Sequence, residues 1–206
     1  VVAGNRVTSL RQNVAAEMSR RGLRCRCLRC REVGRVAQDD PDILTVPAEL
    51  FDREYESAGG REHFLTYEDA ERRAVFAFCR LRLPRRRKEN HVAASDDSPS
   101  ASGRTETDPT GDLPPPEIRG AALLRELHTY GHLVPISDRD KNSAQHRGYG
   151  RRLMAEAERL AREAGFSKMA VISGVGVRGY YRRLGYHRRG TYMLKSLPPL
   201  RPQDGQ

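Results

Sequence analysis

Two glycines and three arginines surround the start of a helical pattern near residue 148. The run Gln145-His146-Arg147-Gly148-Tyr149-Gly150 leads into this pattern, and Arg151 and Arg152 follow. Glycines let a ligand approach the backbone closely, and the free N–H groups at a helix start attract anions. The arginines add charge for phosphate oxygens. The pattern predicts a pyrophosphate site, although an ordinary glycine-rich turn would use the same residues.

A second candidate site is rich in tyrosine. It is the run Gly179-Tyr180-Tyr181-Arg182-Arg183-Leu184-Gly185-Tyr186. A tyrosine beside a thioester can donate a proton to the leaving thiolate. Tyrosines on a short amphipathic helix more often pack into a core, so the residues alone leave both interpretations open.

Three cysteines, Cys25, Cys27 and Cys30, lie within six residues and are flanked by arginines. Neighbouring positive charge favours the thiolate form, and thiolates bind soft cations such as zinc. A structural zinc site takes four ligands. We expect the fourth from His63, His128, His132 or a residue outside this chain; the alternative is three unpaired cysteines. Cys79 falls inside a predicted strand and is expected to be a small buried apolar residue.

The chain is basic, with 37 Lys and Arg against 27 Asp and Glu among 206 residues, a net charge of +10. Nine arginines and two glutamates fall within the first 35 residues. A solvated helix face would explain this charge. The alternative is a surface that contacts nucleic-acid phosphates, for which we select Arg20, Arg24 and Arg29.

Hydrophobic periodicity places these candidates on an α/β framework. Helices are predicted over 8–22, where Leu10, Val14 and Met18 form one stripe, and over 148–164, with a short helix at 177–184. Strands are predicted at 74–83, 121–128, 169–172 and 192–194. We therefore expect a mixed central sheet with flanking helices, preceded by an N-terminal helix and a cysteine-rich linker.

The composition divides the chain into four parts. Residues 1–35 form a basic helix and cysteine cluster, 36–198 the main domain, and 199–206 a tail. Residues 84–116, which are polar and end in Pro114-Pro115-Pro116, are expected to be a disordered insertion. No apolar run reaches the roughly 18 residues of a membrane span. Four cysteines do not suggest a secreted disulfide framework, which favours the cytoplasm.

The motifs, taken in order, resemble a known superfamily. A Gln-x-x-Gly-x-Gly helix start, a strand and a Tyr-Tyr-x-x-Leu-Gly-Tyr helix look like the GNAT acetyltransferases. Further segments resemble the catalytic subunit of Elongator in particular. They are 23–34, Arg125–Gly131, Ala170–Gly176 and Tyr192–Lys195.

This resemblance implies that the chain binds acetyl-CoA, with Tyr181 near the thioester as the catalytic residue. It also supports zinc on the three cysteines. The implied acetyl-CoA contacts are Glu126, Leu127, His128, Thr129, Gln145, Arg147, Gly148, Tyr149, Gly150, Arg151 and Tyr181.

The family also implies a two-part enzyme that makes 5-carboxymethyluridine at the tRNA wobble position. Its radical S-adenosylmethionine domain carries an iron–sulfur cluster on a C-x-x-x-C-x-x-C motif, which the spacing Cys25-x-Cys27-x-x-Cys30 does not match. The chain opens without Met, so we expect a fragment whose partner is the missing radical domain or a second copy.

Two other functions remain open at this point. One is a free-standing GNAT enzyme that acetylates a protein or a small amine. The other is a non-catalytic RNA-binding module that contains zinc.

Overall fold

A computed structural model describes residues 9–57, 59–85, 115–130 and 148–199. Its centre is one seven-stranded sheet in the order β1-β2-β3-β4-β5-β7-β6. Neighbouring strands are antiparallel except β4 and β5, which are parallel. The strands are β1 Glu49–Ser57, β2 Gly60–Glu68, β3 Val75–Pro84, β4 Ala122–Thr129, β5 Lys168–Ile172, β6 His187–Arg189 and β7 Tyr192–Ser196.

Four α-helices accompany the sheet: α1 Leu10–Arg20, α2 Val33–Asp39, α3 Tyr149–Glu163 and α4 Arg178–Arg183. Short 3₁₀ helices cover Pro41–Leu44, Pro116–Ile118 and Val175–Val177. The predicted mixed α/β sheet and all the predicted helices and strands within the described ranges are confirmed. Helix α2 and strands β1, β2 and β6 were not predicted from the sequence.

Helix α3 packs its apolar stripe on the sheet. Leu153, Met154, Ala157 and Ala161 are at most 1% exposed and belong to the main core. The helix ends at Gly165, whose φ of +80° lets the Phe166 N–H reach back to the Ala161 carbonyl at 2.9 Å. This packing fixes where the N-terminus of α3 meets the sheet.

Glu158 is a buried charged residue of α3. It is only 7% exposed, and its carboxylate accepts hydrogen bonds from Tyr186 Oη at 2.9 Å and from Lys195 Nζ at 2.8 Å. Lys195 belongs to β7 and Tyr186 directly precedes β6. One carboxylate therefore joins α3 to the last hairpin.

Strands β4 and β5 pair only at their beginnings. Ala122, Leu123 and Leu124 are opposite Met169, Ala170 and Val171, whereas β4 stays paired with β3 as far as Thr129. Among the described residues, the β5-facing edge of Arg125–Thr129 thus has no strand partner. We call this opening between β4 and β5 the notch.

The N-terminal segment is attached to the sheet by its C-terminal end. Val33 is fully buried in the core, and Arg31 bonds the buried Glu68 carboxylate at 2.5 Å. Helix α1 buries no residue, and its predicted apolar stripe is exposed, with Leu10 at 51% and Val14 at 49%.

Most of the expected insertion, 86–114, and most of the expected tail, 200–206, lie outside the described residues. The expected boundary at 84 falls at the last residue of β3, and the boundary at 116 falls at the start of a 3₁₀ helix. None of the helices described here is long and apolar enough to cross a membrane.

Candidate functional site

The N-terminus of α3 lies beside the notch. Gly148 caps the helix with a φ of +71°, a left-handed conformation that glycine adopts at little cost. The first bond of the helix runs from the Arg152 N–H to the Gly148 carbonyl at 3.1 Å. The N–H groups of Tyr149, Gly150 and Arg151 therefore have no acceptor within the helix, and they can bind an anion.

Gly150 brings three elements into contact. A Cβ atom at this position would lie 3.1 Å from Tyr180 Oη on α4 and 3.3 Å from Thr129 Cγ2 on β4. Both distances are tighter than nearly all Cβ contacts in proteins. The glycine thus allows α3, α4 and β4 to meet at the notch.

The hydroxyl of Tyr180 is buried there without a hydrogen-bond partner among the described residues. Burial raises its pKa, so it stays protonated at neutral pH. A buried hydroxyl with no partner costs about 1–3 kcal/mol. Such a group can serve a ligand, because a ligand oxygen or sulfur would satisfy it.

Tyr181 has a different environment. It is 5% exposed, lies in the main core and contacts the Tyr186 ring at a centroid distance of 6.1 Å. Burial raises its pKa to about 12. The ring packs as a core residue, which is one of the two interpretations that the sequence left open for this pair.

The strand residues expected to contact acetyl-CoA lie along the unpaired edge of β4. Glu126–Thr129 form their ladder with β3 and leave the opposite edge of the strand to the notch. Leu127 packs against the core. His128 lies on the far face of the sheet, stacked on Phe78 at 5.1 Å, so only its backbone belongs to the notch.

The loop residues are only partly described. Gly148, Tyr149, Gly150 and Arg151 lie at the α3 terminus as expected, with the Arg151 side chain exposed. Gln145 and Arg147 lie outside the described residues. The guanidinium of Arg152 lies 5.7 Å from the Tyr149 ring centre, so this arginine also stays beside the terminus.

The three cysteines lie together. Their sulfur atoms are all within 4.8 Å of one another, close enough for one ion to contact all three at the usual zinc–sulfur distance of about 2.3 Å. Arg11 approaches Cys27 Sγ at 3.5 Å and Cys30 Sγ at 3.7 Å. A backbone N–H from Cys30 and the Cys25 thiol lower the pKa of Cys27 to about 6.

The expected fourth ligand is not found at this cluster among the described residues. His63 is buried on β2 and bonds Asp52 at 2.8 Å, and His128 stacks on Phe78. His132 lies outside the described ranges. Cys79 is fully buried, and burial raises its pKa, which confirms the apolar role expected for it.

The three selected arginines lie in and after α1. Arg20 bonds Glu17 at 2.7 Å, Arg24 lines a cleft with Cys25 and Cys30, and Arg29 is exposed between the cysteines. Sequence reasoning missed one charged cluster, in which Arg80, Arg82 and Arg125 surround the buried carboxylate of Glu62. No signal in the sequence marks it, because its members are brought together only by strand register.

Comparison with known proteins places these features in a family. Residues 141–186, which include the N-terminus of α3 and the tyrosine helix, match the Acetyltransferase (GNAT) family. Elongator complex protein 3 of Danio rerio is 41% identical over 92% of this chain and 30% of its own length. The tRNA uridine(34) acetyltransferase of Methanocaldococcus jannaschii is 39% identical over 96% of this chain and 32% of its own length.

A solved structure of a related protein is also similar to this chain. The archaeal Elp3 of Methanocaldococcus infernus, in an N-terminally truncated form, matches with a TM-score of 0.65 and 40% identity, over 96% of this chain and 41% of that one. The chain thus spans about a third of the length of its curated relatives. It has the GNAT acetyltransferase fold and is a homologue of Elongator complex protein 3 and the archaeal tRNA uridine(34) acetyltransferases.

Proposed function

We propose that this chain is the acetyl-CoA-binding part of an Elongator-type acyltransferase that modifies uridine 34 of tRNA. One observation carries the proposal. Gly150, Thr129 and the unpartnered hydroxyl of Tyr180 converge where the N-terminus of α3 meets the unpaired edge of β4. Acetyl-CoA bound there would meet free N–H groups for its pyrophosphate and a buried hydroxyl that can donate a proton.

Different groups at the notch would contact different parts of acetyl-CoA. The backbone N–H groups of Tyr149, Gly150 and Arg151 would bind the pyrophosphate, where the helix dipole also favours negative charge. Gln145 and Arg147 would complete this site. The unpaired edge of β4 at Glu126–Thr129 would offer N–H and C=O groups to the amides of the pantetheine arm, much as a further strand would.

Tyr180 is the better candidate for the proton donor. The family resemblance assigns the role to Tyr181, but that side chain is packed in the core. The Tyr180 hydroxyl lies against Gly150 and has no partner in the described structure. Water would attack the carbonyl carbon of the thioester, and the carbon–sulfur bond would then break to give acetate. The Tyr180 hydroxyl would transfer its proton to the leaving sulfur, and the proton released by the attacking water would restore the hydroxyl.

The RNA substrate is proposed from the relatives' names, which specify Elongator and tRNA uridine 34. The family resemblance implies that formation of 5-carboxymethyluridine uses a radical S-adenosylmethionine centre with an iron–sulfur cluster. The spacing of Cys25, Cys27 and Cys30 does not fit that cluster, so the residues of this chain supply none of that chemistry. A radical domain or a second copy of the chain remains the proposed partner.

We propose zinc at Cys25, Cys27 and Cys30 in the reducing cytoplasm. The clustered sulfur atoms and the lowered pKa of Cys27 support a thiolate site. Elemental analysis of protein purified without added metal should find about one zinc per chain. The triple Cys→Ser variant should lose it, whereas Cys79→Ser, which changes the buried thiol in β3, should retain it. Equal metal content in all three proteins would refute the site.

Arg20, Arg24 and Arg29 are proposed to contact tRNA phosphates beside this cluster. Their exposure and the local excess of arginine support the role. Each contact that is lost should reduce the slope of log affinity against log salt by about 0.7–0.9. Charge reversal at all three should therefore weaken tRNA binding and make its affinity less dependent on salt. The affinity for acetyl-CoA should not change.

A ligand panel tests the proposed function. Saturation with acetyl-CoA at about 100 times its Kd should stabilise the chain by about 2.7 kcal/mol, and NAD should not. A free-standing N-acetyltransferase would also bind acetyl-CoA, but it would transfer the acetyl group to an amine substrate without tRNA. An RNA-binding module would bind tRNA and show no stabilisation by acetyl-CoA. The family relationship favours the first outcome.

A further inference from the structure

The sheet face opposite α3 combines aromatic rings with arginines. Directly paired residues share a face of a sheet, and the pairs Arg53–Phe64, Phe64–Arg80 and Phe78–His128 bring these groups to one side. We call this surface the aromatic–arginine face. It consists of Arg53, Phe64, Phe78, Arg80, Arg125 and His128, together with Tyr130 just beyond β4.

The rings form a continuous row across three strands. Phe78 is buried at the centre and contacts Phe64 at 5.5 Å, His128 at 5.1 Å and Tyr130, just beyond β4, at 5.8 Å. The rings of Phe78 and His128 are stacked at 15°. Among the outer members, His128 is 55% exposed, and Phe64 and Tyr130 are half-buried.

The arginines exceed the carboxylates that they bind. Arg80, Arg82 and Arg125 share Glu62 at 3.4, 3.2 and 2.6 Å. Arg31 and Arg53 share Glu68. Five guanidinium groups thus face two fully buried glutamates, and Arg53, Arg80 and Arg125 are 36–40% exposed.

The row ends at β4, the strand whose other edge forms the notch. His128 lies on the aromatic–arginine face, and its neighbour Thr129 contacts the region of Gly150. A ligand on this face would therefore reach the strand beside the proposed thioester. Aromatic platforms flanked by arginines bind unstacked bases and backbone phosphates of single strands, whereas duplex bases are not available for stacking.

We propose that the aromatic–arginine face binds single-stranded RNA, with bases stacked on the His128–Tyr130 row and phosphates on Arg53 and Arg125. The proposal rests on the proposed RNA-modifying function and adds the surface by which the loop around the reacting base would be held. It differs from the basic segment around α1, which carries no comparable aromatic row among its described residues.

Fluorescence anisotropy with a labelled single-stranded RNA of about eight nucleotides tests the proposal. Tyr130→Leu should weaken binding about fivefold or more, while Tyr130→Phe, which keeps the ring, should bind like the original chain. A duplex of the same sequence should bind more weakly than the single strand.

A second experiment compares arginine variants on the aromatic–arginine face with a control variant on the opposite face of the sheet. Arg53→Gln combined with Arg125→Gln should weaken binding and reduce the salt slope by about 1.4, or 0.7 for each phosphate contact. Glu62 keeps Arg80 and Arg82, and Glu68 keeps Arg31, so the fold should persist. Arg61→Gln changes an exposed arginine on the opposite face, paired across from Leu83, and should leave both values unchanged.

Acetyl-CoA stabilisation of each variant separates the two proposals. If acetyl-CoA fails to bind the original chain, the proposed function fails. If acetyl-CoA binds but Tyr130→Leu and the double arginine variant retain full RNA affinity, the RNA assignment is overturned and the face is left to a protein partner. Equal losses in Tyr130→Leu and Tyr130→Phe would also overturn the stacking role.

Discussion

Two adjacent tyrosines have opposite environments because α4 turns one toward the notch and the other into the core. Tyr181 is packed against Tyr186, whereas the Tyr180 hydroxyl is buried beside Gly150 with no hydrogen-bond partner among the described residues. Spacing alone could not separate them, since adjacent residues share every local sequence signal. Only the packing of a short helix against two other elements decides which hydroxyl faces the ligand.

Paired hydroxyl deletions test this difference. Tyr180→Phe should slow release of CoA from acetyl-CoA by about 100-fold or more, the usual contribution of a general acid. Its free energy of unfolding should not fall, because the deleted hydroxyl bonds no group in the part of the chain that the structure describes. Tyr181→Phe should leave the rate near the original value. If only Tyr181→Phe slows CoA release, the proton donor is Tyr181 and not Tyr180.

At the scale of elements, a single buried carboxylate couples α3 to the C-terminal hairpin. Glu158 bonds both Tyr186 and Lys195, and Arg162 approaches within 3.7 Å. The apolar period of α3 could be predicted from Leu153 and Ala157, but the burial of Glu158 could not. A glutamate in a helical pattern is usually solvated. The partners of Glu158, Tyr186 and Lys195, lie 28 and 37 residues further along the chain.

Removal of this carboxylate should be costly. Glu158→Ala leaves a half-buried ammonium group and a buried tyrosine hydroxyl without their acceptor, so the free energy of unfolding should fall by about 2–4 kcal/mol. Glu163→Ala, which changes an exposed glutamate on the same helix, should cost no more than about 0.5 kcal/mol. Urea unfolding measures both, and equal losses would show that Glu158 does not couple the elements.

The strands β1 and β2 also depend on buried carboxylates. Burial alone would raise the pKa of Glu68, but hydrogen bonds from Arg53, Thr66 and Arg31 hold it below its ordinary value. The pKa of Glu62 is likewise lowered, since the hydrogen bonds from Arg125 and Arg82 outweigh the effect of burial. These strands gave no clear signal in the sequence, because charged residues occupy positions that a half-buried strand normally fills with apolar ones.

A lowered pKa in the folded state adds stability at neutral pH that is lost on acidification. The loss should begin as pH falls through the unfolded glutamate value of about 4.3 and continue through the lower folded values. The free energy of unfolding, measured with urea between about pH 6 and pH 3, should therefore depend less steeply on pH in Glu68→Gln than in the original chain. Glu71→Gln, at a 76% exposed position, should retain the original profile. An unchanged profile in Glu68→Gln would contradict this assignment.

At the scale of the whole molecule, the architecture was more predictable than the site. The order of motifs around 145–150 and 179–186 led to the GNAT fold, because a glycine-rich helix start and a tyrosine helix keep a fixed order in that fold. The notch could not be predicted, since it arises where β4 and β5 separate after three paired residues. The cysteine cluster was recognisable because its members are local in the sequence.

Acetyl-CoA binding by the Gly150→Ala variant tests the central claim most directly. The added Cβ would press on Tyr180 Oη and Thr129 Cγ2, so calorimetry should show binding at least about tenfold weaker than in the original chain, a loss of about 1.4 kcal/mol. Gly174→Ala is the matched control, because its φ of −61° suits alanine and its Cβ would meet nothing within 4 Å. It should bind as the original chain does. Undiminished affinity in a folded Gly150→Ala variant, or no binding by the original chain, would contradict an acetyl-CoA site at the notch.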